Sequence, residues 1–254
     1  MAQSESASAY CRKFFGRTPF GLSGTDPEFS DFFTNFAFDE VVRQDAMDDR
    51  TRFLVILATL TGCQGLDAFR DLLPGAFRAG LTAIQVREML YQAVAYLGIG
   101  RVLPFLKAAN TVMAEAGIPL PEEGQGTTTP QTRIEAGNQA QVDIFGEGMR
   151  GFQDSGPEDA RHINRWLAGN CFGDYYTREG LDYRQREMIT FCFLSAQGGC
   201  EPQLTSHAAA NLRIGNDEGF LIQVISQALP YIGYPRSLNA LSCLRKAAEA
   251  AREA

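Results

Sequence analysis

The chain has 254 residues, 45% of them apolar, enough for one large domain or two small ones around a sizeable core. Its net charge of −7 disfavours nonspecific binding to nucleic acid or to an anionic membrane, so neither is expected as a partner. No apolar run approaches the roughly 18 residues that a membrane span requires.

The opening stretch, "MAQSESASAYCRKFFGR", is polar and lacks the apolar segment of a secretory leader, so a cytoplasmic location is expected. Six cysteines (Cys11, Cys63, Cys171, Cys192, Cys200 and Cys243) form no Cys-x-x-Cys pair and read as scattered thiols, not a disulfide framework. With His162 and His207 the only histidines, no metal site is expected. No phosphate-binding loop or complete dinucleotide fingerprint occurs, and no cofactor is expected.

Further along, the chain repeats itself. "FAFDEVVRQDAMDDRTR" resembles the later "NCFGDYYTREGLDYRQR", so that Phe38, Asp48 and Arg52 fall on Phe172, Asp182 and Arg186. "GLTAIQVREMLYQAVAYLGIGRVL" likewise resembles "GNDEGFLIQVISQALPYIGYPRSL", with Gly80, Gln92, Tyr96, Gly98 and Arg101 on Gly215, Gln227, Tyr231, Gly233 and Arg236. The spacing between matches grows by one residue along the way, and the extra residue is placed in the Gly198-Gly199 pair.

Both copies read as helical. Arg52 to Leu60 and Arg186 to Leu194 are almost wholly apolar after the arginine, so periodicity alone does not separate helix from strand. The neighbouring helical periods decide for helix. The two arginines are placed at helix starts, where Asp48 and Asp182 are candidate partners. Thr82 with Gln85 forms a capping box, apolar residues follow at helical spacing, and Gly98 stops the helix. "PLPEEGQGTTTPQTRIEAG", 119–137, reads as a linker between an N-terminal unit, 1–118, and a C-terminal unit, 138–254.

In the second copy, "GGCEPQLTSH" carries the chemistry of interest. Pro202 begins a helix near Glu201, which sets Cys200 at its N-terminus, where the helix dipole favours a thiolate. Gln203 and His207 follow on the same face. His207 suits general acid/base work because imidazole titrates near neutral pH. In the first copy, Leu72, Phe53 and Gly65 stand opposite His207, Glu187 and Cys200. The second copy is therefore expected to hold the site, with the first supplying packing or a wall. His162, in "DARHINRW", reads as structural or exposed.

These residues together resemble the carboxymuconolactone decarboxylase family, which shares its all-helical fold with the alkylhydroperoxidase D-type peroxidases. The resemblance implies an all-α fold in two tandem copies. It implies a decarboxylase or related proton-transfer enzyme acting on a small lactone bearing carboxylates, with His207 as acid/base and Glu187 orienting the ring or passing a proton. Arg186 and Arg236 are candidates to bind a substrate carboxylate, and Gln203, Gln227 and Tyr231 to line the pocket. The alternatives are a thiol-dependent peroxidase using Cys200, although Gln203 replaces the second thiol of that site, and a non-catalytic scaffold. Relatives form rings of six single-domain subunits, so a homo-oligomer of three two-copy chains is implied.

Overall fold

A computed structural model describes residues 2–253 as helices and loops, with no strand among them. The first copy runs through α1 (Glu5–Phe15), α2 (Pro27–Asn35), a π-helical segment (Phe36–Glu40), α3 (Val41–Arg43), α4 (Asp49–Gly62), α5 (Leu66–Arg78), α6 (Ala83–Leu97) and α7 (Ile99–Glu115). The second runs through α8 (Arg133–Phe145), α9 (Arg161–Trp166), a π-helical segment (Leu167–Tyr176), α10 (Tyr183–Gln197), α11 (Glu201–Arg213) and α12 (Glu218–Glu253). A break at Gly233, φ 74°, divides α12, matching Gly98, φ 78°, between α6 and α7. No helix among the described residues is long and apolar enough to cross a membrane.

The two apolar stretches are the central helices α4 and α10, each buried continuously after its first turn. A helix buried all round has no polar face, which is why the sequence shows no 3.6-residue period there. Local chemistry starts both. The Asp48 carboxylate accepts from the Thr51 N–H, and Asp182 forms a capping box with Gln185. These aspartates therefore cap helices and do not pair with Arg52 and Arg186 as expected. The helices close to van der Waals limits at their ends, where a Cβ on Gly62 would lie 2.7 Å from that of Ala196.

The copies share one continuous hydrophobic core that draws on both halves. They also exchange helices. Gln92 of α6 donates to the Arg186 carbonyl and to Thr190 Oγ1, each at 2.8 Å, on α10 of the other copy. Gln227 of α12 donates to the Val41 carbonyl at 3.0 Å and to Asp45 Oδ2 at 2.9 Å. Each Gln-x-x-x-Tyr helix thus completes the opposite copy.

The segment expected as a linker differs from a free tether. Helix α8 begins at Arg133, inside it, and the rest is strapped down: Glu122 pairs with Arg87 at 2.8 Å, and Thr127 and Thr128 donate to the Thr177 and Gly173 carbonyls. Helix α8 crosses the second π segment at backbone contact. A Cβ on Gly137 would meet the Ala168 carbonyl oxygen at 1.9 Å, and one on Gly173 the Arg133 carbonyl oxygen at 2.0 Å. Only glycine permits that approach, and it sets α8 beside α11.

Candidate active site

A cavity of about 600 Å³ opens where α6, α8, the second π segment, α10 and α11 meet. His207, on α11, forms part of its wall. Pro202 in the first turn of α11 starts that helix as expected, and two turns later the imidazole emerges between Tyr96 and Phe145, whose rings meet it edge-on at 5.5 and 5.3 Å. Glu187, on α10, is fully buried, and its Oε2 lies 2.7 Å from His207 Nδ1. With the Glu187 carboxylate as acceptor, the proton of this contact is assigned to Nδ1, which leaves Nε2 as the nitrogen free for chemistry. Asn211 pins the two helices together by donating to the Glu187 and His207 carbonyls at 3.0 and 2.8 Å.

The other carboxylate oxygen is equally well held. Tyr176, from the π segment, donates to Glu187 Oε1 at 2.8 Å. A phenol has one hydrogen, so the hydroxyls of Tyr96 and Thr190, each 2.7 Å from the Tyr176 oxygen, must donate to it. Gln92 in turn donates to Thr190. Every donor in this chain is oriented toward Glu187, and two members, Tyr96 and Gln92, come from the first copy. Burial, reinforced by the Glu187 charge, holds the Tyr176 phenol well above the usual tyrosine range, so it remains a donor. Both oxygens of this buried carboxylate are thus hydrogen-bonded, and one of them faces the His207 ring.

The other expected residues divide. Gln203 and Cys200 both line the cavity. Cys200 is the N-cap of α11, but burial pushes its thiol up, against the expectation of a thiolate. Gln197 donates to the sulfur at 3.4 Å and opposes the shift, while the sulfur itself lies 3.5 Å from the Leu194 carbonyl as a donor. At pH 7.5 iodoacetamide should therefore alkylate Cys200 more slowly than free cysteine, as followed by peptide mass spectrometry. Faster labelling would reinstate the thiolate.

Arg186 does not face the cavity. It is fully buried and donates to Glu88 Oε2, Gln92 Oε1 and the carbonyls of Arg178 and Glu179, where it joins the two copies. Gln227 and Tyr231 lie instead against the first copy, because their helix is exchanged. Arg236 is exposed beside Gly198, in a separate shallow crevice. His162 is exposed and packs on Trp166. Tyr96, Tyr176, Thr190, Phe145 and Gln141 were not legible as site residues. The repeat flagged Tyr96 only as the partner of Tyr231, and the exchange that brings it to His207 leaves no local mark.

The equivalent space in the first copy is filled. Phe53 stands where Glu187 would be, and its ring packs edge-on against Phe14 and Phe15 at 5.2 and 5.9 Å. Leu72 is fully buried. The Tyr231 hydroxyl, the counterpart of Tyr96, is buried there with no hydrogen-bond partner among the described residues. The asymmetry expected from the sequence therefore has a packing cause. Among the described residues no cluster of three or more His, Cys, Asp or Glu side chains could hold a metal ion.

Comparison with known proteins bears on family and fold. The model of the carboxymuconolactone decarboxylase family matches residues 27–111 and again 162–246. No curated protein matches the sequence significantly. Among solved structures, a chain from Burkholderia xenovorans LB400, provisionally described as a gamma-carboxymuconolactone decarboxylase subunit, aligns with a TM-score of 0.55 at 18% identity. The alignment covers 98% of this chain and 97% of that one. At that identity the likeness speaks for the fold.

Proposed function

The chain belongs to the carboxymuconolactone decarboxylase family, and from that premise we propose that it is an acid/base enzyme that decarboxylates a small lactone bearing carboxylates, with His207 as the proton donor. The observation that supports this reading is the 2.7 Å pair of His207 Nδ1 with a fully buried Glu187, set on the wall of a cavity of about 600 Å³. A pocket of this size suits a small-molecule substrate.

In the proposed reaction the carbon–carbon bond to one carboxylate breaks and carbon dioxide leaves. The bonding electrons pass into the conjugated lactone carbonyl and give an enolate-like anion. The His207 imidazolium then transfers its Nε2 proton to carbon, and the ring regains a proton from solvent. Glu187 lowers the cost of the imidazolium, and the Tyr96–Tyr176 hydroxyl chain holds the Glu187 carboxylate in place. Gln203 offers an amide at the cavity wall for a substrate oxygen. The test is carbon dioxide release from an α,β-unsaturated γ-lactone carboxylated at its γ-carbon, compared between the purified protein and the His207→Gln variant. The thiol-peroxidase reading draws less support, since Cys200 is held toward its protonated form and Gln203 replaces the second thiol.

We also infer a homo-oligomer of three chains. Large apolar residues stay exposed at matching positions of both copies: Phe29 and Phe32 against Ile163 and Trp166, and Ile99 and Leu103 against Tyr234 and Leu238. Their recurrence at equivalent positions of the two copies supports an association surface used twice per chain, and the number three follows from the resemblance to rings of six single-domain subunits. Sedimentation equilibrium at micromolar concentration should give three chains per particle, and a monomeric mass would sink the inference.

A further inference from the structure

Gln141 lines the same cavity from α8, in a segment that lies between the two stretches matched by the family model. Its side chain is fully buried, and its Nε2 has no hydrogen-bond partner among the described residues. The orientation of the amide follows from its neighbours. Asn138 Oδ1 accepts from the Gly151 N–H at 3.0 Å, so Asn138 Nδ2 is the donor end, which it gives to the Met149 carbonyl at 2.7 Å and to Gln141 Oε1 at 3.2 Å. The free end of Gln141 is therefore an N–H₂ group. Gln141 and Phe145, four residues apart, share one face of α8, and the Phe145 ring packs edge-on against His207.

A buried donor left unpaired costs as much as a lost hydrogen bond; the Tyr231 hydroxyl is unpaired as well, but Gln141 lines a cavity that a ligand can fill. Here the polar groups that hold the other end of the amide are all satisfied. We propose that Gln141 is a substrate-binding residue, whose Nε2 donates to a ligand oxygen that carries or gathers negative charge, such as a carboxylate or the lactone carbonyl that becomes an enolate. A neutral amide in that position suits a charge that develops during reaction, since it binds the oxygen without adding a fixed cation to the cavity. This rests on the proposed function for the lactone, but not for the orphaned donor.

Two unreactive probes separate the possibilities: 5-oxotetrahydrofuran-2-carboxylate, a carboxylated γ-lactone, and glutarate, a five-carbon dicarboxylate without the ring. Binding of each to the full chain is measured by isothermal titration calorimetry, alongside the melting temperature without ligand. Gln141→Met is expected to weaken lactone binding about tenfold, the ratio that one hydrogen bond supplies, while the ligand-free melting temperature stays level or rises. Gln141→Glu, which keeps the shape but sets a carboxylate against the ligand, should weaken binding further. Binding by Gln141→Met equal to wild type would overturn the proposal, as would a melting temperature several degrees lower with binding unchanged. If glutarate alone binds and depends on Gln141, the residue's role stands and the lactone reading falls. If wild type binds neither probe, both fall.

Discussion

Replacing His207 with glutamine should abolish lactone turnover, with kcat falling by about a thousandfold, in the range that one positioned acid/base group supplies, while the melting temperature stays within a degree or two. The two halves of this result come from different parts of the geometry. Glutamine can present an N–H to Glu187 Oε2, so the buried carboxylate keeps a donor and the fold loses little. The amide cannot take up and release a proton near neutral pH, so the chemistry stops. Alanine would be the poorer variant. It would leave Glu187 Oε2 buried and unpaired, at about 1–3 kcal/mol, and mix a stability loss with the catalytic one. Steady-state rates and calorimetry on the same preparation decide the matter. A glutamine variant that keeps more than a tenth of the wild-type rate would remove His207 from the proposed mechanism.

The parts of this molecule that were legible in sequence are those that local chemistry decides. Thr82 and Gln85 form their capping box, Pro202 starts α11, and Gly98 and Gly233 break the helices where the repeat places them. The one-residue difference between copies also falls where expected, with Gln64 at φ 64° in the first loop against Gly198 and Gly199 at 69° and 71° in the second. His207 and Glu187 were legible through the resemblance to the family, and their replacement by Leu72 and Phe53 in the first copy assigned the site to the second. What the sequence concealed is non-local. The exchange of α6 and α12 between copies moves Gln227 and Tyr231 away from His207 and brings Gln92 and Tyr96 to it, yet it changes no spacing along the chain. Cys200 shows a different limit. Its place at a helix N-terminus is correct, but the burial that pushes its thiol up comes from tertiary packing that no local spacing reveals.

Arg186 shows how a residue type that suits substrate binding can serve another end. Its guanidinium is fully buried and holds Glu88, Gln92 and two carbonyls, so it ties α10 to α6 across the two copies. Burial pulls Arg186 down from the usual arginine range, and the Glu88 charge opposes that shift. Arg186→Ala should therefore cost roughly 3–5 kcal/mol, the price of breaking a buried pair from one side. For a chain this long, that corresponds to a melting temperature lower by about 10 °C. Arg178, which also reaches Glu88 at 3.0 Å, limits the loss, because the carboxylate keeps one cation. Combining Arg186→Met with Glu88→Gln should recover part of it, since that change removes the buried charge and fills the space. A substrate-binding arginine predicts the opposite pattern, with KM raised tenfold or more and the melting temperature unchanged. Thermal denaturation of the alanine variant, read beside its KM, separates the two: a loss within about 2 °C would return Arg186 to the list of substrate contacts, and a large one fixes it as the joint between the copies.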